Sequence, residues 1–201
     1  MNSKQTTEEK IKEAAKDIFM KKGYSATKTR DIAEHAGINL ALLNYYFRSK
    51  EKLFNQIMME SMSSFFQGMI MVFMDKESDL EQKFIKIVDG YIEQIKQQPD
   101  TPLFILSEMQ RNPDEFLSKM TKKLKIQDTI LYQQLIAEIG KEKLESVNPI
   151  HFLVNLMSMT LFPFIAKSML EHIGDINSQQ FNALMEERKM LIPMWIKQML
   201  R

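Results

Sequence analysis

Apolar residues recur through most of this 201-residue chain at spacings of three and four, a rhythm that fits one face of an α-helix and no strand. Ile11, Ala14, Ala15, Ile18 and Phe19 form the first such stripe, with Lys10, Lys12, Glu13 and Lys16 lying off it. Thr6 or Thr7 can cap its start, Glu8 and Glu9 suit the positive end of the helix dipole, and Lys21, Lys22 and Gly23 make a stop. A short helix then follows a cap at Thr27 or Thr29 and runs to Ala36, ending at Gly37. Asn39 caps a third over 40–47, and Ser49 caps a fourth that continues to about Met74. Further helices are predicted over 78–97, 102–111, 114–140, 149–173 and 178–200, punctuated by Pro99, Pro102, Pro113, Gly140, Pro149 and Gly174. The prediction is an all-α chain of about nine helices. Six Gly and six Pro leave too little turn chemistry for a sandwich or barrel.

Several function classes fall away on residue types. With no Cys there is no disulfide framework, thiolate metal cluster or cysteine nucleophile, and the chain suits a reducing cytoplasm. The polar first nine residues contain no apolar signal region. The stretch 146–166 lacks acids, Lys and Arg and is long enough to cross a bilayer, but Asn148, Pro149, His151, Asn155 and Pro163 favour a buried helix over a span, so no membrane is expected. The three histidines, His35, His151 and His172, are too scattered for a metal pair, and no nucleophile elbow, P-loop or dinucleotide fingerprint occurs. Glu186 and Glu187 diverge by about 100° on a helix and cannot share a proton. The chain is expected not to be an enzyme, and to need no metal or cofactor.

Charge is divided unevenly. Residues 1–55 carry a net +4 and residues 56–201 a net −3, the balance of a phosphate-binding module on a slightly acidic body. Within the basic end, two short helices meet at Gly37, where a positive φ allows a sharp turn. Ile32, Ala33 and Ala36 supply a small apolar face, and Ile38, Leu43 and Phe47 anchor the second helix on it. The opposite face is left with Leu40, Ala41, Asn44, Tyr45 and Tyr46. Two adjacent tyrosines on a solvent-facing turn are hard to explain by packing, and their hydroxyls and the Asn44 amide could donate to phosphate oxygens. This is helix-turn-helix geometry, with the second helix placed for a major groove.

The runs Thr29-Arg30-Asp31-Ile32-Ala33, Ala36-Gly37-Ile38-Asn39 and Leu43-Asn44-Tyr45-Tyr46-Phe47-Arg48-Ser49-Lys50-Glu51 resemble the DNA-binding signature of the tetracycline-repressor (TetR) family. The resemblance implies an all-α homodimer, with a DNA-binding domain over 1–50 and an effector and dimerisation domain over 51–201. It implies phosphate contacts from Thr29, Arg30, Tyr45, Tyr46 and Lys50, and base-edge contacts from Leu40, Ala41 and Leu42. Asn39 and Asn44 complete the set expected at DNA. Asn44 stands where many members have Tyr, Ala41 where many have Gly, and Tyr46 where many have His. An apolar Leu-Ala-Leu face would favour thymine methyls over bidentate guanine recognition.

The fourth helix, with Phe65, Phe66, Met69, Ile70, Met71 and Phe73, is apolar around most of its circumference, so neighbouring helices or a cavity must cover it. Gly68 within it and Gly90 within the next suggest close helix approach. Seventeen Met and 13 Phe suit a pliable apolar pocket, with Phe65, Met69, Phe104, Met109, Met159 and Phe162 as candidate lining and Glu108 as a candidate partner for a cationic ligand. Residues 149–173 and the last helix carry more apolar surface than one core consumes. Phe152, Leu156, Phe162, Ile165, Met169, Leu184, Leu191 and Trp195 are the expected dimer interface. Kinks are expected at Pro163 and Pro193. Together these features predict a homodimeric regulator, a repressor, that binds a palindromic double-stranded DNA operator and is released by a small apolar effector. The alternatives are a DNA-binding dimer governed by a protein partner instead, and a helical-bundle enzyme or carrier.

Overall fold

The computed structural model describes residues 6–111, 113–121 and 124–200, and all regular structure among them is helical. Four helices come first: α1 (Thr7–Ala26), α2 (Thr29–His35), α3 (Leu40–Phe47) and α4 (Lys50–Met74). Thr6 and Glu9 close a capping box on α1, the Thr6 hydroxyl accepting from Glu9 N at 3.2 Å and Glu9 accepting from Thr6 N at 2.8 Å. Gly23, at φ 73° and ψ 167°, interrupts α1 where the stop was predicted, and one further turn follows. Neither predicted threonine caps α2. Lys28 holds that position without a side-chain bond, while the buried Thr27 hydroxyl donates to Gly23 O at 2.7 Å and pins the break in α1. The next two starts follow the sequence, with Asn39 Oδ1 accepting from Leu42 N and Ser49 Oγ from Lys52 N.

Ile11, Ile18, Phe19, Ile32, Leu43 and Phe47 form one core with Leu53, Phe54 and Ile57 of α4. That core does not close at residue 50. It takes in Phe104 and Ile105 of α6 (Thr101–Arg111) and Phe116 and Met120 of α7 (Pro113–Thr121), so the basic module is seated on the larger body through shared apolar packing.

A second core is built on α5 (Leu80–Gln97), whose Phe84, Ile87, Val88, Tyr91 and Ile92 meet Leu131 and Leu135 of α8 (Ile130–Ile139), Phe152 and Leu156 of α10 (Ile150–Ile165), and Phe181, Met185 and Ile192 of α12 (Ser178–Leu200). Lys189 of α12 reaches Asp89 at 3.0 Å and Glu93 at 2.5 Å, tying α12 to α5 by charge as well. α4 is the one described helix long and apolar enough by itself to cross a membrane, yet it packs against α1, α5, α7 and α8.

Two long predicted helices are broken. The segment 114–140 divides into α7, a 3-10 turn (Ile126–Asp128) and α8, with a short α9 (Lys141–Leu144) beyond Gly140. Thr129 starts α8. Its hydroxyl, fully buried, accepts from Tyr132 N at 3.2 Å and donates to Ile126 O at 2.6 Å. The segment 149–173 bends by 74° between α10 and α11 (Lys167–Ile173). Pro163 has no N–H to give Met159 O four residues back. The guanidinium of Arg188 on α12 takes that place, Nη2 at 2.8 Å and Nε at 3.3 Å, and stacks 5.4 Å from the Trp195 ring centre. α12 runs on through Pro193 as a single helix.

Gly90 and Gly68 part company. A Cβ on Gly90 would lie 2.9 Å from Met69 Cε, so the glycine makes room for the tip of that side chain, whereas Gly68 has nothing within 4 Å.

Candidate nucleic-acid interface and apolar cavity

α2 and α3 meet at Gly37, which has φ 67° and open space around it. Leu43 and Phe47 bury one side of α3. The other side presents Ala41, Asn44, Tyr45 and Tyr46, with Tyr45 79% and Tyr46 40% exposed and their rings packed edge to face at 5.5 Å. Arg30 is exposed on the first turn of α2, Thr29 is half-buried beside it, and Leu40 and Leu42 are half-buried on α3. Asn39 is exposed, but its carbonyl oxygen is committed to the cap of α3. Arg48, absent from the expected set, follows α3 with φ 55° and stands exposed. Its place inside the recognised motif was the available signal for it.

Lys50 is held differently from an open phosphate clamp. It is half-buried, its Nζ donates to Tyr24 O at 2.8 Å and Thr27 O at 2.9 Å, and it lies 4.2 Å from the Tyr24 ring centre. Two of its three donors therefore close carbonyls at the end of α1. The cause is the break at Gly23, which sequence spacing locates without showing what fills the freed carbonyls.

The same junction reaches the larger body. Asp100, between α5 and α6, accepts from Tyr24 N at 3.1 Å. The Phe54 ring meets Tyr24 at 4.6 Å, Phe19 at 5.0 Å and Phe104 at 6.1 Å, so aromatic contact runs unbroken from α1 through α4 to α6.

Between α4, α5, α8 and α10 lies an apolar cavity of about 240 Å³. Phe66, Ile70 and Phe73 of α4 face Ile87 and Tyr91 of α5 across it, with Leu131, Leu153, Leu156 and Met157 closing the far sides. None of the seven residues expected around a pocket lines it. Phe65 and Met69 pack against Tyr91 and Gly90 of α5, one position round α4 from Phe66 and Ile70, which line the cavity. Phe104 belongs to the first core against Phe54. Glu108 pairs with Arg111 beside a polar groove between α4 and α7, which removes the expected cation partner. Met109 and Phe162 are exposed, and Met159 is half-buried, its carbonyl held by Arg188.

The expected dimer residues also divide. Phe152 and Leu156 are consumed by their own core, Leu156 lining the cavity, and Leu191 and Trp195 are half-buried, Trp195 packed on that core. Phe162 (54% exposed), Ile165, Met169 and Leu184 stand open. Val154 and Met194 join them at helical spacing, completing apolar stripes on α10 and α12.

Residues 11–57 match the family described as bacterial regulatory proteins, tetR family. Over 85% of this chain and 83% of its own length, the Bacillus subtilis (strain 168) protein named "Probable HTH-type transcriptional regulator YttP" is 23% identical. Among solved structures, a transcriptional regulator of the TetR/AcrR family from Thermobifida fusca superposes with a TM-score of 0.60 at 17% identity, covering 92% of this chain and 96% of that one. The regulator FadR of Bacillus subtilis, solved with stearoyl-CoA, does so with a TM-score of 0.54 at 17% identity, covering 91% and 96%. A reading helix exposed on a three-helix module, the signature across α1 to α4 and the shared fold of the remainder carry one conclusion: residues 11–57 form a helix-turn-helix module of the tetR type, on a chain similar along most of its length to helix-turn-helix transcriptional regulators.

Proposed function

We propose that the protein is a cytoplasmic homodimeric repressor that binds a palindromic operator and is released when a small apolar effector enters the cavity between α4, α5, α8 and α10. The observation that carries the DNA-binding role is α3 itself, buried along Leu43 and Phe47 and open along Ala41, Asn44, Tyr45 and Tyr46. Tyr45 and Tyr46 donate to phosphates flanking the groove, Arg30 and Arg48 add charge, and Thr29 and Asn39 steady the helix starts against the backbone. Leu40, Ala41 and Leu42 face base edges, where apolar side chains meet thymine methyls. Lys50 positions the end of α1 and offers its remaining donor to phosphate. The domain division near residue 50 stands in this reading as a functional one, since packing continues across it.

The exposed stripes on α10 and α12 supply the dimer contact. Two copies then present α3 at successive major grooves only if their separation is near 34–36 Å or a multiple of it. An effector that favours another separation lowers DNA affinity by the same factor that DNA lowers effector affinity. The cavity favours this reading over regulation by a protein partner alone, because a fully packed body would leave nothing for a small molecule to occupy. That the fold can hold a lipophilic molecule fits the stearoyl-CoA complex of FadR.

The test is binding to duplexes from the region upstream of the protein's own gene, measured across salt concentrations. Arg30→Ala should flatten the salt slope by about one, and Tyr46→Phe should weaken all sequences alike by several-fold. Wild-type affinity for every duplex in both variants would remove α2 and α3 from the interface.

A further inference from the structure

The cavity has a chemical character sharper than apolarity. Its described walls carry no charged side chain. On α5, Lys83 is one turn from Ile87 but turns to the loop before the helix, where it donates to Ser78 O at 2.5 Å and Ser78 Oγ at 3.2 Å, and the exposed Lys86 pairs with Asp75. Thr129 is saturated, donating to Ile126 O and accepting from Tyr132 N, and Thr121 donates to Leu117 O. One donor is left over. Tyr91 is 3% exposed and lines the cavity, and its hydroxyl makes no hydrogen bond to any described residue. Burial pushes the phenol well above its usual range, so it stays protonated and remains a donor.

A donor that opens onto an apolar cavity without a protein acceptor can gain a hydrogen bond from a ligand that supplies one. The described walls offer an ion no charged partner, so they penalise a ligand that brings a charge.

We propose that the cavity takes an uncharged, mainly hydrocarbon molecule bearing one oxygen acceptor, such as a ketone, ester or amide, and that the Tyr91 hydroxyl donates to that oxygen. This rests on the effector reading above and narrows its ligand class. Phe66, Ile70 and Phe73 grip the hydrocarbon from one side and Leu153, Leu156 and Met157 from the other, while Tyr91 fixes which end carries the oxygen. Sites built around one buried hydrogen bond discriminate strongly against analogues that lack its partner.

Titration calorimetry on the full chain decides it, with three ten-carbon probes: 2-decanone, decanoate and decyltrimethylammonium. The ketone should bind, and the anion and cation should bind at least tenfold more weakly. Tyr91→Phe should leave the free protein folded while weakening the ketone about five- to tenfold, and Leu153→Trp, which fills the space, should abolish its binding. No binding of the ketone, tighter binding of either ion, or an unchanged ketone affinity in Tyr91→Phe would each overturn the proposal. A companion DNA-release assay separates the two readings. A ketone that binds through Tyr91 yet leaves DNA affinity unchanged defeats the effector role and upholds the ligand class. Release driven by one of the ions defeats the class and upholds the role.

Discussion

Single residues here repair what their neighbours break. Pro163 leaves the Met159 carbonyl without its helical donor, and Arg188 reaches from another helix to supply two. Desolvation by the surrounding packing pulls that guanidinium below its ordinary value, and the face of Trp195 partly compensates. Arg188→Met keeps much of the side-chain bulk but strands the carbonyl, so it should lower stability by about 1–2 kcal/mol in denaturant unfolding. Unchanged stability would mean that water satisfies Met159 equally well. Gly23, Thr27 and Lys50 form a similar set at the end of α1, the first freeing carbonyls that the other two close. Spacing along the chain locates Pro163 and Gly23 as breaks. It cannot show Arg188 or Lys50 as their remedies, because those are contacts between residues 29 and more than 20 positions apart.

At the scale of elements, the link between the basic module and the body is the Asp100 carboxylate on Tyr24 N, backed by the Tyr24, Phe54 and Phe104 rings. Asp100→Ala should leave the fold intact, weaken DNA binding by a few-fold and reduce the response to ligand, as read from DNA affinity with and without effector. Full retention of both would assign the coupling to α4 alone. The helices most legible in the sequence are α1 to α6 and α12, where an apolar stripe coincides with a capping residue or a Pro and Gly boundary. The breaks at 124–129 and at 166 differ in how far the sequence shows them. Thr129 is an ordinary capping residue, but the apolar rhythm on either side of it is continuous enough to hide the break. The bend at Ala166 follows Pro163 by three residues, and sequence predicts a kink there without the 74° that separates α10 from α11. On α4 the expected pocket residues differ from the observed ones by phase: Phe65 and Phe66 are both large and apolar, and which of them faces the cavity depends on where α5 lies.

For the molecule as a whole, the exposed stripes on α10 and α12 make the assembly state the quantity to measure. Phe162→Glu puts a charge into the middle of that surface without touching either core, and, if the proposed dimer forms there, sedimentation should show the unaltered protein as dimers and the variant as monomers at the same concentration. DNA affinity should fall with it, because one copy engages only half of a palindrome. A persistent dimer would place the interface elsewhere.

The near-contact of Gly90 with Met69 also sets a mechanical ratio. It lies about 6 Å along α4 from Phe73, beside the cavity, and about 29 Å from Lys50, beside the reading head, at 1.5 Å of rise per residue. If α4 is stiff and pivots at that contact, the arms differ by about fivefold. A ligand that shoves Phe73 aside by the width of a single bond would then swing the far end several ångströms in the opposite direction, so a molecule small enough for a modest cavity gains leverage over a far larger one.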